Sequence, residues 1–219
     1  MCNKHMNIRN YTRQAPATSA IMLICVVVFL IAAVQSRSLG DLVWGSPLGI
    51  HTVLWGPFVT SEPLGALRAI TAMFLHLDIG HLTLNMLFLL FIGREIERYL
   101  GTPLYAATYL AGGLGGSAAI LLMDPNTPTA GASGALYALM AVLIAVASRR
   151  SADLRAPLVL LVMNVLYTLI SPGVSLWGHL GGLIAGALMA WPVTSRSKLV
   201  RWLAVLVVGG VSAAFVVTF

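Results

Sequence analysis

Charge is what this sequence has least of. Asp, Glu, Lys and Arg together make up 9% of its 219 residues, where a soluble globular domain carries about 25%. So few charges cannot solvate the surface of a soluble domain. Hydrophobic residues reach 58%, and since ~20 apolar residues per helix cross a bilayer, seven spans would use roughly 140 positions. Cysteine is nearly absent as well: Cys2 and Cys25 cannot form a disulfide framework, Cys25 lies inside an apolar run, and no four-cysteine metal cage can be built. Internal repeats, low-complexity tracts and linkers are also missing. The chain therefore reads as one all-α membrane domain over residues 1–219, with a core at about 19–193 and an additional C-terminal span at about 199–219.

Apolar runs bounded by charge, Pro and Gly fall at about 19–35, 79–93 (extending as far as 100), 103–123, 131–148, 156–171, 177–193 and 199–219. The first also fits a cleaved signal peptide, with Lys4, Arg9 and Arg13 ahead of it and Ala32-Ala33 within it. A polytopic chain normally keeps its first span as an anchor, and Ile24 before Cys25 spoils a lipoprotein cleavage site. With seven spans, one side holds Lys4, Arg9 and Arg13, then Arg94 and Arg98, then Arg149, Arg150 and Arg155, then Arg196, Lys198 and Arg201. The other side holds only Arg37 and Arg68. By the positive-inside rule the N-terminus is cytoplasmic and the C-terminus outside. The net charge of +6 is thus a topology signal, with lipid headgroups as counter-ions in preference to nucleic acid.

The outward loop from Ser36 to Asp78, rich in Gly, Pro and Trp, is expected to fold on the membrane surface and sink partly into it. The stretch Asp124–Gly134 places irregular backbone between two spans, which hydrocarbon tolerates only beside protein or a water-filled cavity. A cavity opening outward near Ser133 is therefore expected.

An ionisable side chain in a span is costly and points to function. His76, His81 and His179 lie at span edges, and His81 and Asn85, four apart, share a helix face. Ser133 begins the fourth span between Gly131 and Gly134; His179 begins the sixth, ahead of Gly182 and Gly186 at small-xxx-small spacing. The second, fourth and sixth spans all run inward, so His81, Asn85, Ser133 and His179 share one layer near the outer face. A serine needs a base, and a neutral imidazole is the usual one. Asn85, His81 and the Ser133 N–H at a helix start can supply donors for an oxyanion. No carboxylate in this layer obviously orients His179, so the set reads as a Ser-His dyad. Each residue alone is more often packing or helix glue; the constellation carries the reading. Gly131-Ala132-Ser133-Gly134-Ala135 also lacks the last Gly and the preceding strand of a hydrolase nucleophile elbow.

These motifs closely resemble those of the rhomboid intramembrane serine proteases, from about Arg68 to Gly186. His76-xxxx-His81-xxx-Asn85 is similar to the second-span motif, and Gly93-xxx-Glu97-xxx-Gly101 to its continuation. Gly131-Ala132-Ser133-Gly134-xx-Tyr137 resembles the nucleophile motif, and His179-xx-Gly182-xxx-Gly186 the base motif. The resemblance implies Ser133 as nucleophile, His179 as general base, His81 and Asn85 in the oxyanion hole, and Tyr137 stacked on His179. It implies structural roles for His76, Gly93, Glu97, Gly131, Gly134, Gly182 and Gly186. The family's Trp-Arg in the first outward loop is half matched, with Leu67 before Arg68. The seventh span resembles a six-plus-one layout, and its Gly209-Gly210 pair argues for packing. Asn164 has no motif counterpart and reads as an interhelical hydrogen-bonding residue.

The resemblance further implies cleavage of single-span membrane proteins within or next to their transmembrane segment. Substrate helices would enter near the second and fifth spans, with Ser171–Leu176 and the loop before Ser133 as mobile cover, and no metal or organic cofactor is called for. A catalytically inactive client-binding relative would usually lack the Ser or the His, and a transporter would show inverted repeats or paired carboxylates. A short chain without a transit-like presequence favours a bacterial inner membrane. The partners expected are transmembrane protein substrates and membrane lipids, with no nucleic acid.

Overall fold

The computed structural model describes residues 8–171 and 173–219, so that Cys2, Lys4 and Pro172 lie outside the described residues. All its regular elements are helices. A short α1 (Ile8–Gln14) leads into α2 (Pro16–Ser36), which opens on a proline at the position where a missing N–H costs nothing. The outward loop folds into α3 (Pro47–Thr52), α4 (Gly56–Ser61) and α5 (Arg68–Thr71). After it, α6 (Ile79–Phe88) passes through a π-type turn at Leu89–Gly93 into α7 (Arg94–Leu100). The remaining elements are α8 (Thr102–Met123), α9 (Ser133–Arg149), α10 (Arg155–Ile170), α11 (Leu176–Val193) and α12 (Lys198–Thr218).

Seven apolar helical segments thus stand at the expected spans. Five are long and apolar enough to cross a membrane, while α9 and α10 have 17 and 16 residues. The first begins at Pro16, earlier than expected, and the second runs unbroken to Leu100 because the π-type turn absorbs the change of register. The fourth begins at Ser133 and not at 131, since Gly131 has φ +127 and cannot be helical. At 1.5 Å per residue, 17 residues rise ~25 Å against a hydrocarbon core of ~30 Å. By itself α9 is therefore shorter than the hydrocarbon core is thick.

Large apolar side chains such as Val34, Ile170 and Val217 face outward, while Thr18, Arg68, His76, Asn85 and Glu97 are buried. This distribution suits lipid and not water. The core lies among α8, α9 and α11, whose backbones approach through small residues. A Cβ on Gly182 would sit 2.0 Å from the Gly134 carbonyl oxygen, and one on Gly186 would sit 2.4 Å from the Ala138 Cα. Any side chain at either position would push α9 and α11 apart.

Two buried charged side chains tie the irregular parts to this core. Arg68 bonds Glu62 through Nη2 at 2.6 Å, donates from Nη1 to the Ile50 and Val53 carbonyls, and lies over the Phe58 ring. It knots the outward loop although Leu67 stands beside it. Glu97 accepts the Ala17 and Thr18 N–H groups at 2.9 Å and the hydroxyls of Thr18 and Thr102 at 2.7 and 2.8 Å. It therefore caps the otherwise unpaired donors at the start of α2. One turn earlier, Gly93 leaves room for Thr18 and Tyr105.

Glu97→Ala should destabilise the bundle by about 2–4 kcal/mol, because it strands several buried donors at once. Thr102→Val, which removes one of the four contacts, should cost about 1 kcal/mol. Thermal unfolding in detergent micelles measures both.

Candidate active site

The residues that precede the site are held by the outward loop. Leu54 and Thr129 pair as two antiparallel strands would, the Gly56 N–H donates to the Pro125 carbonyl at 2.8 Å, and the Trp55 indole N–H donates to the Asn126 carbonyl at 2.9 Å. The Gly131 N–H then bonds the Ala72 carbonyl at 2.9 Å. The Asp124–Gly134 backbone thus finds its partners in protein, as hydrocarbon requires.

Beyond this clasp lies a cavity of about 620 Å³, where α6, α9 and α11 begin, lined by Ser133, His179, His81, Asn85 and Tyr137 among others. Asp78 caps α6 by accepting the His81 N–H at 2.9 Å, and Ser175 caps α11 by accepting the Gly178 N–H at 3.2 Å. Each cap fixes where its histidine enters the cavity. Ser133 occupies the first turn of α9, where backbone N–H groups have no intrahelical partner. Gly134 and Gly182 bring this turn against α11.

The Tyr137 and His179 rings are stacked, with centroids 4.2 Å apart and planes 17° apart. The Tyr137 hydroxyl donates to the Asn164 carbonyl at 2.5 Å and also contacts the Thr168 hydroxyl at 2.5 Å. His179 Nδ1 lies 2.7 Å from Thr168 Oγ1. Ser133 and His179 share the cavity without a direct hydrogen bond among the described residues, a spacing that unliganded sites often show before substrate tightens them. Asn85 spends one amide hydrogen on the His81 carbonyl at 2.8 Å and keeps the other. Gly131 leaves room for the His81 ring, for a Cβ there would lie 2.6 Å from its Cε1. His76 is buried outside the cavity, its ring edge-on to His81 at 5.2 Å. Burial first, and the neighbouring His81 second, push its pKa down to about 3, so it is neutral. Arg68, Gly93, Glu97 and Gly186 lie away from the cavity.

Asp78, Ser175 and Thr168 were not among the residues singled out from the sequence. Asp78 and Ser175 carry a legible signal, a capping residue just ahead of an apolar run. Thr168 carries a weaker one, its position four residues after Asn164 on the same helix face. Asn164 differs from expectation: its side chain bonds the Leu160 carbonyl within α10 at 2.8 Å, and its interhelical contact is made by its backbone oxygen.

A membrane helix bundle with a serine, an imidazole and amide donors around one cavity defines a candidate intramembrane hydrolase. A Rhomboid domain model matches residues 64–196, and the chain belongs to the rhomboid family. It is an integral multi-pass membrane protein. It is 36% identical over 124 residues to "Rhomboid protease GluP" of Bacillus subtilis (strain 168), covering 54% of this chain and 24% of that protein. It is 32% identical over 151 residues to "Rhomboid-like protease 3" of Toxoplasma gondii, covering 65% and 57%. With "Putative rhomboid protease YdcA" of Bacillus subtilis (strain 168) the identity is 25% over 203 residues, covering 88% and 96%. The chain thus spans from about a quarter to a little over half the length of the first two.

Gly131→Ala should lower the thermal midpoint, since a left-handed backbone costs an Ala about 1–2 kcal/mol and the new methyl displaces His81. It should also weaken labelling of Ser133 by a fluorophosphonate. Gly210→Ala, where a Cβ meets nothing within 4 Å, should be neutral or stabilising by up to about 1 kcal/mol. Paired melting curves and gel-based labelling read the contrast.

Proposed function

We propose that this chain is a serine endopeptidase that hydrolyses single-span membrane proteins within or next to their transmembrane segment. The observation that carries the reading is the meeting of Ser133 and His179 in one cavity at the starts of α9 and α11. The protease names of its relatives favour the same reading.

In this reading Ser133 Oγ attacks the scissile carbonyl carbon while its proton passes to His179 Nε2. The negative charge moves to the carbonyl oxygen and is met by the Ser133 N–H, the free Asn85 amide hydrogen and His81. Collapse of this intermediate breaks the C–N bond, and His179 returns the proton to the leaving amine. Water, deprotonated by the same imidazole, then hydrolyses the acyl-serine ester and regenerates Ser133. Tyr137 keeps the imidazole plane in place, and the capped starts of α6 and α11 fix the donors without reorganisation during the reaction. Substrate helices enter sideways between α6 and α10.

In this reading the N-terminus lies in the cytoplasm of a bacterium and the C-terminus outside its inner membrane. The ends of α7, α9, α11 and the start of α12 support this side assignment, because they gather their basic residues together. Arg150 pairs with Glu95 at 3.3 Å, Arg149 bonds the Thr194 hydroxyl, and Arg201 bonds the Val193 carbonyl. Anionic lipid headgroups are the complementary partners on this face.

Ser133→Ala and His179→Ala should each abolish cleavage of a single-span reporter in liposomes while the proteins keep their melting transitions. Fluorophosphonate labelling should require Ser133 and persist in EDTA. Undiminished cleavage by purified Ser133→Ala protein would overturn the mechanism. An intact chain that neither cleaves nor labels would favour a client-binding protein without catalysis.

A further inference from the structure

Four polar atoms meet behind the imidazole: His179 Nδ1, Thr168 Oγ1, the Tyr137 hydroxyl oxygen and the Asn164 carbonyl oxygen. They make four contacts. Thr168 Oγ1 lies 2.7 Å from His179 Nδ1, 2.5 Å from the Tyr137 hydroxyl and 2.9 Å from the Asn164 oxygen, and the Tyr137 hydroxyl lies 2.5 Å from that same oxygen. The two hydroxyls bring one hydrogen each, and the carbonyl brings none.

If Nδ1 were unprotonated, two hydrogens would serve four contacts, and two contacts would set lone pair against lone pair in a buried site. If Nδ1 carries the ring proton, three hydrogens are available. Nδ1–H donates to Thr168 Oγ1, the Thr168 and Tyr137 hydroxyls both donate to the Asn164 carbonyl, and one contact instead of two is left lone pair against lone pair. The second count satisfies more of the buried oxygens, whose unpaired burial is costly.

We propose that Thr168 is a positioning residue that holds His179 in the tautomer protonated at Nδ1 and leaves Nε2 as the free base toward Ser133. The hydrogen bond at one ring nitrogen sets the state of the other. In serine hydrolases with a third residue a carboxylate accepts from this nitrogen; here a neutral hydroxyl, itself anchored on a backbone carbonyl, takes that place. The same contact ties α10 to the base on α11. The inference rests on the endopeptidase reading for its catalytic consequence, but the tautomer itself is a property of the resting protein.

Two measurements test it separately. In liposomes, Thr168→Val, which keeps the shape and removes the hydroxyl, should lower kcat roughly 10- to 100-fold with little change in KM, as loss of the productive tautomer does. Thr168→Ser should restore kcat to within about threefold, since it returns the acceptor. In the Ser133→Ala protein, nitrogen-15 NMR of labelled histidine, with His179 assigned by comparison with His179→Gln, should show Nδ1–H. It should show a shifted or mixed tautomer once Thr168→Val is added. Undiminished kcat in Thr168→Val, or an Nε2–H resting state with Thr168 present, would overturn the proposal. If no variant cleaves any reporter, the endopeptidase reading falls while the NMR result still decides the role of Thr168.

Discussion

The contact on which the site depends has no side chain in it. Gly182 of α11 lies against the Gly134 carbonyl of α9 so closely that a single methyl would meet it at 2.0 Å. Ser133 is the neighbour of one of these glycines, and His179 precedes the other by nearly one turn. The relative position of the Ser133 and His179 side chains is therefore set by a backbone-to-backbone distance, the stiffest measure a helix pair offers. Without a hydrophobic driving force between helices in lipid, such close packing is what association relies on. Tyr137 and the α10 contacts add orientation to a spacing already set.

Around this contact the polar groups follow the cost of burying them. Arg68, Glu97 and Asn85 are buried, and each has hydrogen-bond partners supplied by carbonyls, N–H groups or hydroxyls. Arg68 acts at a distance from the cavity: it knots α3 to α5, this loop clasps the Asp124–Gly134 backbone, and that backbone leads to Gly131 and Ser133. Glu97 does the equivalent at the opposite end by pinning the start of α2 to α7. Neither touches the cavity, and both stop it from loosening.

Much of this was legible in the sequence because hydrocarbon leaves few ways to place a polar residue. Seven apolar runs marked the helices, and Ser133, His179, His81 and Asn85 stood out against them. That they would meet at one end of the bundle followed from the parity of the spans, and they line one cavity. Boundaries were less legible where a local conformation decided them, as at Gly131, whose positive φ delays α9 by two residues. Thr168 was hidden for another reason. A threonine in an apolar helix usually bonds its own backbone, and Thr168 also does so, to the Asn164 carbonyl. That its oxygen simultaneously meets His179 depends on how α10 lies beside α11, which a linear pattern does not encode. Asn164 does take part in an interhelical hydrogen bond, but through its backbone oxygen, because its side chain satisfies itself locally.

The shortness of α10 carries a consequence for the lipid. This helix exposes Val159, Met163, Leu169 and Ile170, and with 16 residues against the 21 or 22 of α2, α8 and α12 it is shorter than those spans by about five residues, roughly 7 Å of helix. A bilayer meeting both must change thickness around the protein's circumference, at a cost of fractions of a kcal/mol per Å of mismatch. The thin side is the side of α10, which carries Asn164 and Thr168 behind the His179 ring. Acyl-chain length thereby becomes a variable of the α10 wall of the cavity, and membranes of different composition present the same chain with different energetic settings.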